Sequence, residues 1–320
     1  MDVSLTPPGW ATHLLSDLHD WSRSPLPVAE LRPFSLPDDV YFEYAWLDAD
    51  GEPRPDPDNE DRRNPWWPHA CALVGPRYRP CALADGPAVT SRGSTRRYWL
   101  ESKDGSRRHR VLVHSPDSDF TTPRPTIYLQ DGKAYYGWGR LPRIAAALER
   151  AAEIPPARYV CVQPVKRGRD YFFNADFSRF MVEELIPAVE SRAPCDGRRF
   201  AMGASLGGLC SAWIACLHPT LFAGVASQSG AFLMGPGDSP PDPFGGSEWF
   251  HAMLGSAEAP RLRWYFDCGR LEWLYPAHQK IRDALAAGGY DHRVEFRSAG
   301  HNWINWRNGI PAALKFLLAG

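Results

Sequence analysis

The stretch RRFAMGASLGGLCSAW, from Arg198 to Trp213, decides the fold that this sequence predicts. An apolar run typical of a strand precedes a serine that lies between glycines, and a run typical of a helix follows it. The segment Gly203 to Gly207 fits the pattern Gly-x-Ser-x-Gly, in which a sharp strand-to-helix turn lifts the serine hydroxyl clear of the sheet. The pattern predicts Ser205 as a nucleophile, with the backbone amide of Leu206 directed at a developing oxyanion. The alternative interpretation is a glycine-rich turn that only packs tightly.

A serine hydroxyl is a poor nucleophile without a base, and the histidines after the serine are the candidates. In this kind of fold the chain order is serine, acid, histidine. His301 follows an apolar strand and the letters SAG, where the base is expected, whereas His278 lies in a helical pattern. The segment RWYFDCGRLEW offers two acids before it, Asp267 near the strand end and Glu272 in the loop beyond. Either carboxylate would serve to fix the imidazole tautomer, and Asp267 is equally consistent with a buried, hydrogen-bonded role.

The sequence after Arg96 alternates short apolar runs with helical patterns. This alternation is typical of an α/β fold with a mostly parallel sheet covered on both faces, whose ligands bind beyond the carboxyl ends of the strands. Each of the candidate residues above falls at such an end. The predicted helices are Leu141–Ala152, Asp176–Arg192, Leu206–Leu217, Pro276–Ala287 and Ile310–Leu318.

The first ninety or so residues are polar, rich in proline and poor in helical patterns. Val40, Phe42, Tyr44 and Trp46 alternate with other residues, as in a sandwich strand with one strongly apolar face. The following segment DADGEPRPDPDN is rich in carboxylates but lacks the glycine of a calcium loop, so we interpret it as a solvated turn. We predict a β-sandwich-like region over residues 1–92 and a catalytic domain over 93–320.

Composition excludes several function classes. The 320 residues carry a formal net charge of −1, so no global field recruits nucleic acid or an anionic membrane. The seven cysteines are odd in number and none is paired as Cys-x-x-Cys, which argues against a zinc site or a disulfide framework and favours reduced thiols in the cytoplasm. The N-terminus lacks the pattern of a signal peptide, and no apolar stretch approaches a membrane span. We expect no metal and no cofactor, and a small-molecule ester as the partner in place of nucleic acid or a membrane; the sequence leaves the oligomeric state open.

With these residues in place, the sequence resembles the enterochelin esterase family within the esterase D-like α/β-hydrolases. The likeness runs from about Arg96 to the C-terminus and includes YLQDGKAYYGWG, the segment RGRDYFFNADF, and the shorter runs EELIPAVE, SQSG and GHNWINWR. It implies an α/β-hydrolase fold preceded by an early β-sandwich, here trimmed at its start. Through GRLE it implies Glu272 as the triad acid. By similarity to the related mycolyltransferases, it implies that Lys133 supplies the second oxyanion amide.

The expected activity is that of a serine esterase acting on a bulky carboxylic ester through an acyl-enzyme. The family resemblance implies a ferric catecholate siderophore lactone as one candidate substrate. Aromatic and basic residues crowd the loops at the strand ends, which suits an aromatic, anionic small molecule. The residues expected to bind it are Arg167, Tyr135, Trp138, Trp303 and Trp306. The alternatives are an acyltransferase of the same fold, a general or feruloyl-type carboxylesterase, and a non-catalytic glycan-binding protein.

Overall fold

The computed structural model describes residues 1–85, 93–238, 246–256 and 259–319. Two small antiparallel sheets precede the main sheet. One pairs β1 with β4, and in the other β2 and β5 are central, with β3, β6 and β7 at their sides. The strands are β1 (Asp2–Val3), β2 (His13–Ser16), β3 (Leu26–Pro27), β4 (Phe34–Ser35), β5 (Tyr41–Leu47), β6 (Pro53–Arg54) and β7 (Cys71–Val74).

In the part of the chain that the structure describes, the main sheet has eight strands, in the order β15-β14-β13-β12-β10-β11-β9-β8. Six of them, from β15 to β11 in that order, run parallel, and β9 and β8 extend the sheet antiparallel at one edge. This architecture confirms the predicted fold class, an α/β-hydrolase sheet with a smaller sheet region before it. The strands are β8 (Ser94–Glu101), β9 (Arg108–Ser115), β10 (Arg124–Leu129), β11 (Arg158–Val162), β12 (Cys195–Ala204), β13 (Gly224–Gln228), β14 (Arg263–Gly269) and β15 (His292–Arg297).

Helices cover both faces of this sheet, and each face has its own apolar cluster. The strands between the clusters are buried on both sides, as expected for a parallel sheet. The helices are α1 (Ala82–Asp85), α2 (Gly132–Gly137), α3 (Leu141–Arg150), α4 (Arg167–Tyr171), α5 (Ala175–Arg179), α6 (Ile186–Glu190), α7 (Leu206–Leu217), α8 (Trp249–Leu254), α9 (Tyr275–Ala287) and α10 (Trp303–Leu318). Three short 3₁₀ turns, Asp17–His19, Trp21–Arg23 and Val28–Glu30, and a π turn, Phe180–Leu185, complete the helical segments.

Two helix predictions require correction. The last helix begins at Trp303 and not at Ile310, because the side chain of Asn302 caps it by accepting a hydrogen bond from the amide of Asn305 at 2.9 Å. The predicted helix Asp176–Arg192 is divided by the π turn between α5 and α6. The helix Leu206–Leu217 has the predicted bounds.

Strand β5 is buried on both of its faces, and not only on the strongly apolar face that its alternation predicts. The side chains of Phe42, Tyr44 and Trp46 enter the core of the N-terminal sheets. Tyr41, on the opposite face, packs with Ala299 from the main domain. The second face is buried because the N-terminal sheets lie directly on the main domain.

Backbone pairing joins the two regions. The amide of Tyr41 donates to the carbonyl of Ser298 at 2.8 Å, and Tyr41 forms an isolated parallel bridge with Ala299. Asn308 of α10 adds two contacts, accepting from the amide of Cys81 at 2.9 Å and donating to the hydroxyl of Tyr78 at 2.8 Å. The boundary predicted at residue 92 falls in 86–92, outside the described residues.

Candidate active site

Ser205 occupies the turn between β12 and α7 with a left-handed backbone, at φ 56° and ψ −126°. Such a conformation is strained for a residue with a side chain. A Cβ at Gly203 would lie 2.1 Å from the carbonyl oxygen of Gly207, and one at Gly208 would lie 2.4 Å from the hydroxyl of Ser227. The glycines therefore permit the close crossing of strand and helix that holds Ser205 in this position.

Three side chains form a continuous hydrogen-bonded chain at the carboxyl ends of the strands. His301 Nε2 lies 3.0 Å from Ser205 Oγ, and His301 Nδ1 lies 2.7 Å from Glu272 Oε2. The imidazole is fixed between two indoles, with ring centroids 4.6 Å from Trp273 and 4.9 Å from Trp306. A hydroxyl, an imidazole and a carboxylate joined in this order have the geometry that nucleophilic catalysis requires.

Glu272 is buried and its second oxygen is also fully engaged. Oε1 accepts from Ser229 Oγ at 2.6 Å, from the amide of Gly269 at 2.8 Å and from Asn305 Nδ2 at 3.2 Å. Burial alone would raise the pKa of Glu272, but the neighbouring His301 and these hydrogen bonds hold the pKa below its usual value. The carboxylate therefore stays ionised and aimed at Nδ1 of the imidazole.

Asp267, the other candidate acid, is directed away from the imidazole. Its Oδ2 pairs with Arg297 Nη2 at 2.9 Å and accepts from Gln228 Nε2 at 2.9 Å and from the hydroxyl of Tyr265 at 3.2 Å. Burial raises the pKa of Asp267, and Arg297 opposes that effect. The carboxylate belongs to a buried network behind the site, while Glu272 contacts His301.

The amides of Leu206 and Lys133 lie at the first turns of α7 and α2. First-turn amides have no acceptor within their own helix, and the helix dipole adds partial positive charge there. Asp131, before α2, has a left-handed φ of 55°, which turns the chain sharply from β10 into the helix. Lys133 and Ser205 line the same cavity, as a site for an oxyanion requires.

A cavity of about 610 Å³ opens beside Ser205 and His301. This volume lies within the usual range of small-molecule sites. Aromatic rings and basic side chains form much of its wall. The rings are those of Trp66, Tyr136, Trp138, Trp303 and Trp306, and the basic groups are Arg97, Arg110, Lys133 and Arg167.

Two predicted binding residues have other contacts. Tyr135 is fully buried behind the cavity wall, where its hydroxyl donates to Gln228 Oε1 at 2.9 Å and its ring packs edge-on against Trp303. Arg167 does line the cavity, but its guanidinium binds Asp131 through contacts of 2.8 to 3.0 Å. Its charge is therefore largely compensated. The other three residues expected to bind substrate, Trp138, Trp303 and Trp306, line the cavity.

Several cavity residues were not predicted, notably Trp66, Arg97, Arg110 and Gln163. Arg97 lies on β8 and Arg110 on the paired strand β9, and their side chains share one face of the sheet with Leu112. The alternation of side chains along the two strands is the sequence signal that could have placed them together. No ion pair joins either arginine to a carboxylate among the residues that the structure describes. Trp66 comes from the N-terminal region, and no local pattern indicates that its loop reaches this cavity.

The described ranges of the structure also bear on metal binding and on membrane insertion. Within them, no group of three or more histidine, cysteine or acidic side chains is arranged to hold a metal ion. None of the helices described combines the length and the apolar character needed to cross a membrane. All seven cysteines are unpaired.

Comparison with known proteins adds a family. The esterase family model described as "Putative esterase" matches residues 102–317. An iron(III) enterobactin esterase of Dickeya dadantii is 24% identical over 94% of this chain and 75% of its own length. That of Escherichia coli K12 is 28% identical over 64% of this chain, which spans about half, 52%, of that relative. The crystal structure of the Shigella flexneri enterobactin esterase in the presence of enterobactin superimposes with a TM-score of 0.77, at 20% identity, over 96% of this chain and 87% of that one.

Proposed function

Because this chain belongs to the esterase family that its residues 102–317 match, we propose that it is a serine esterase that hydrolyses bulky carboxylic esters through an acyl-enzyme. Ser205 is the nucleophile, His301 the general base and Glu272 the acid that orients the imidazole. The observation that carries this proposal is the chain of contacts from Ser205 Oγ through His301 to Glu272, at 3.0 and 2.7 Å.

The proposed reaction has two halves. In the first, His301 Nε2 takes the proton of Ser205 Oγ as the oxygen attacks the ester carbonyl, and the amides of Leu206 and Lys133 receive the oxyanion. The imidazolium then gives its proton to the leaving alcohol, and the acyl group remains on Ser205. In the second half, His301 takes a proton from water, the resulting hydroxide attacks the acyl-enzyme, and the carboxylic acid leaves as the serine hydroxyl is restored. Glu272 remains ionised and stabilises the imidazolium throughout.

The proposed substrate has a bulky, aromatic acyl group with negative charge. Four indoles and a phenol line the cavity, and Arg97, Arg110 and Lys133 bring positive charge to it. Stacking and cation–π contact both favour an aromatic anion there. The names of the enterobactin esterase relatives support a ferric catecholate lactone as one candidate. The unpaired cysteines support the cytoplasm as the proposed location.

A labelling experiment tests the nucleophile. The native protein should react with a fluorophosphonate at one site, Ser205, and Ser205→Ala should take up no label. The same substitution should lower kcat by at least about 1,000-fold while the circular dichroism spectrum is unchanged. Turnover by folded Ser205→Ala near the native rate would disprove this assignment.

A substrate panel tests the acyl group. We expect kcat/KM for a catecholate or hydroxycinnamate ester to exceed that for the acetate of the same alcohol. Arg110→Ala should raise KM for an anionic aromatic ester by roughly 5- to 10-fold and leave a neutral aromatic ester nearly unaffected. Equal use of acetate would support a general carboxylesterase. Acyl transfer to an added alcohol in preference to water would support the acyltransferase, and failure to label would support a non-catalytic binder.

A further inference from the structure

Two carboxyl groups of the N-terminal region are buried together behind the proposed active site. Asp17, in the first 3₁₀ turn, and Glu43, on β5, are each nearly inaccessible to solvent. They are joined by a hydrogen bond from the amide of Glu43 to Asp17 Oδ2, at 2.8 Å. The proposed mechanism uses neither of them. Buried carboxyls without a cationic partner are costly, so their position calls for an explanation.

Asp17 lies against the loop that carries His301. A Cβ added at Gly300 would fall 2.0 Å from Asp17 Cγ, so the carboxyl group occupies the space where any side chain at residue 300 would be. On the same loop, Ser298 accepts the hydrogen bond from the amide of Tyr41. The segment just before the imidazole is therefore held between β5 and Asp17.

Glu43 is also linked to the aromatic wall of the cavity. Its Oε2 accepts from Asn64 Nδ2 at 2.7 Å, and Asn64 Oδ1 accepts from the amides of Trp66 and Trp67 at 2.7 and 3.0 Å. These bonds fix the loop that carries Trp66, whose exposed indole lines the cavity beside Ser205. Glu43 thus has a contact toward each loop: its side chain binds Asn64 of the Trp66 loop, and its backbone amide binds Asp17, which packs against the His301 loop.

The hydrogen bonds leave Glu43, rather than Asp17, with an oxygen that has room for the proton of this pair. Both oxygens of Asp17 accept from N–H donors, Trp21 Nε1 at 2.9 Å and the amide of Glu43. Oε1 of Glu43 instead faces the hydroxyl of Tyr41 at 2.8 Å, and a hydroxyl can rotate to accept a proton as readily as it donates one. The Asn64 side chain cannot turn to accept a proton from Glu43, because its Oδ1 already accepts from two backbone amides and its Nδ2 therefore faces Glu43.

We propose that Glu43, as the protonated acid, and Asp17 are positioning residues of the esterase. The Glu43 side chain holds the Trp66 loop through Asn64, and Asp17, fixed by the Glu43 backbone amide, holds the His301 loop. The inference rests on the proposed function. Two titratable groups face Glu43: Tyr41 on the same strand and Asp61 in the loop after β6. Glu272, with its partner His301, acts on Asp17. Tyr78 packs on Tyr41. Burial raises the pKa of Glu43 to about 7, and Asp61 adds to this effect. Burial also raises the pKa of Asp17, and Glu43 and Glu272 add to that effect.

The two arms have separate kinetic signatures. Asp17→Ala frees the His301 loop, so kcat should fall by about 10- to 100-fold for acetate and aromatic esters alike, with KM little changed. Asn64→Ala frees the Trp66 loop, so KM for the aromatic ester should rise by roughly 2- to 10-fold, with a smaller effect on kcat. Glu43→Ala keeps the backbone amide that donates to Asp17, so it should show the effect of Asn64→Ala on KM and a smaller effect on kcat.

Glu43→Gln is the matched control. Its amide nitrogen donates to the Tyr41 hydroxyl and its oxygen accepts from Asn64, so kcat and KM at pH 6 to 7 should stay near the native values.

Melting temperatures and circular dichroism spectra of every variant distinguish unfolding from a displaced loop. Loss of folded protein lowers the apparent kcat and leaves KM unchanged, whereas a displaced Trp66 loop raises KM. A native KM for the aromatic ester in folded Glu43→Ala, a native kcat in folded Asp17→Ala, or a rise of KM in Glu43→Gln as large as in Glu43→Ala would overturn the proposal. Native protein without turnover or phosphonate labelling would overturn the proposed function and this inference with it, whereas an active native enzyme with unaffected variants overturns the inference alone.

Discussion

At the scale of single residues, the site depends on which carboxylate contacts the imidazole. Glu272 lies five residues beyond Asp267, yet its oxygen is the one at 2.7 Å from His301 Nδ1, while Asp267 is engaged by Arg297. The loop after β14 turns back and carries Glu272 to the histidine, as the amide of Gly269 donating to its Oε1 indicates. Sequence order alone left both acids possible, because each precedes His301 and follows the same strand.

We predict opposite consequences for the two acids. Glu272→Gln should lower kcat by about 100- to 10,000-fold, less than loss of Ser205, because serine and histidine retain part of their function. Asp267→Asn should leave kcat near the native value but lower the free energy of unfolding by about 2 to 3 kcal/mol, since Arg297 loses the nearer of its two carboxylate partners and keeps only Glu295. Steady-state kinetics and urea unfolding measure the two effects. A large loss of kcat in folded Asp267→Asn, with little effect of Glu272→Gln, would contradict the assignment.

At the scale of elements, the sequence predicted the turn around Ser205, which depends on neighbouring residues. It did not predict the features that depend on contacts between distant segments. Helix α7 has its predicted bounds because an apolar strand, a glycine-flanked serine and an apolar helix are adjacent in sequence. The start of α10 was missed although Asn302 is a typical N-cap residue, since the aromatic run after it reads as a loop. Trp66 and the Asp17–Glu43 pair were not predictable, because only the packing of β5 on the main domain brings them to the site.

The turn itself allows a sharp test with a matched glycine. Gly203→Ala would bring its Cβ to 2.1 Å from the carbonyl oxygen of Gly207, a backbone atom that cannot move without shifting α7. We expect a loss of more than about 2 kcal/mol in the free energy of unfolding and slow labelling of Ser205. Gly168→Ala is the control, because no atom lies within 4 Å of its added Cβ. Equal stability and labelling of the two variants would argue against the close crossing of strand and helix.

At the scale of the whole molecule, the N-terminal sheets and the main domain share one boundary around the proposed site. The resemblance to enterochelin esterases, first stated from motifs after Arg96, is confirmed by the family match and by curated relatives, one of which aligns over nearly the whole chain. The structure adds that β5 has its second face on the segment before His301. Residues on that face therefore connect folding of the N-terminal sheets to the geometry of the site.

The buried acid at this boundary predicts a pH dependence of stability. Burial is the main cause that raises the pKa of Glu43 to about 7 from its ordinary 4.5. Between these values the folded protein binds more protons than the unfolded chain, so the contribution of Glu43 to stability falls as the pH rises from about 4.5 to about 7 and is constant above. Glu43→Gln does not titrate at this position. Its free energy of unfolding, relative to native, should therefore increase by about 1 to 3 kcal/mol between pH 5 and pH 8.

Urea unfolding of both proteins at pH 5, 6, 7 and 8 measures this difference, and the subtraction removes groups that titrate in both. Among these are the buried histidines His114 and His278, whose pKa values burial lowers to about 4 and which destabilise the fold as the pH falls. Glu30→Gln, at an exposed glutamate of the same region, is the matched control and should give a constant difference. If Glu43→Gln also differs from native by a constant amount, then Glu43 is ionised across this range. The Tyr41 hydroxyl would then act only as a donor to a buried carboxylate.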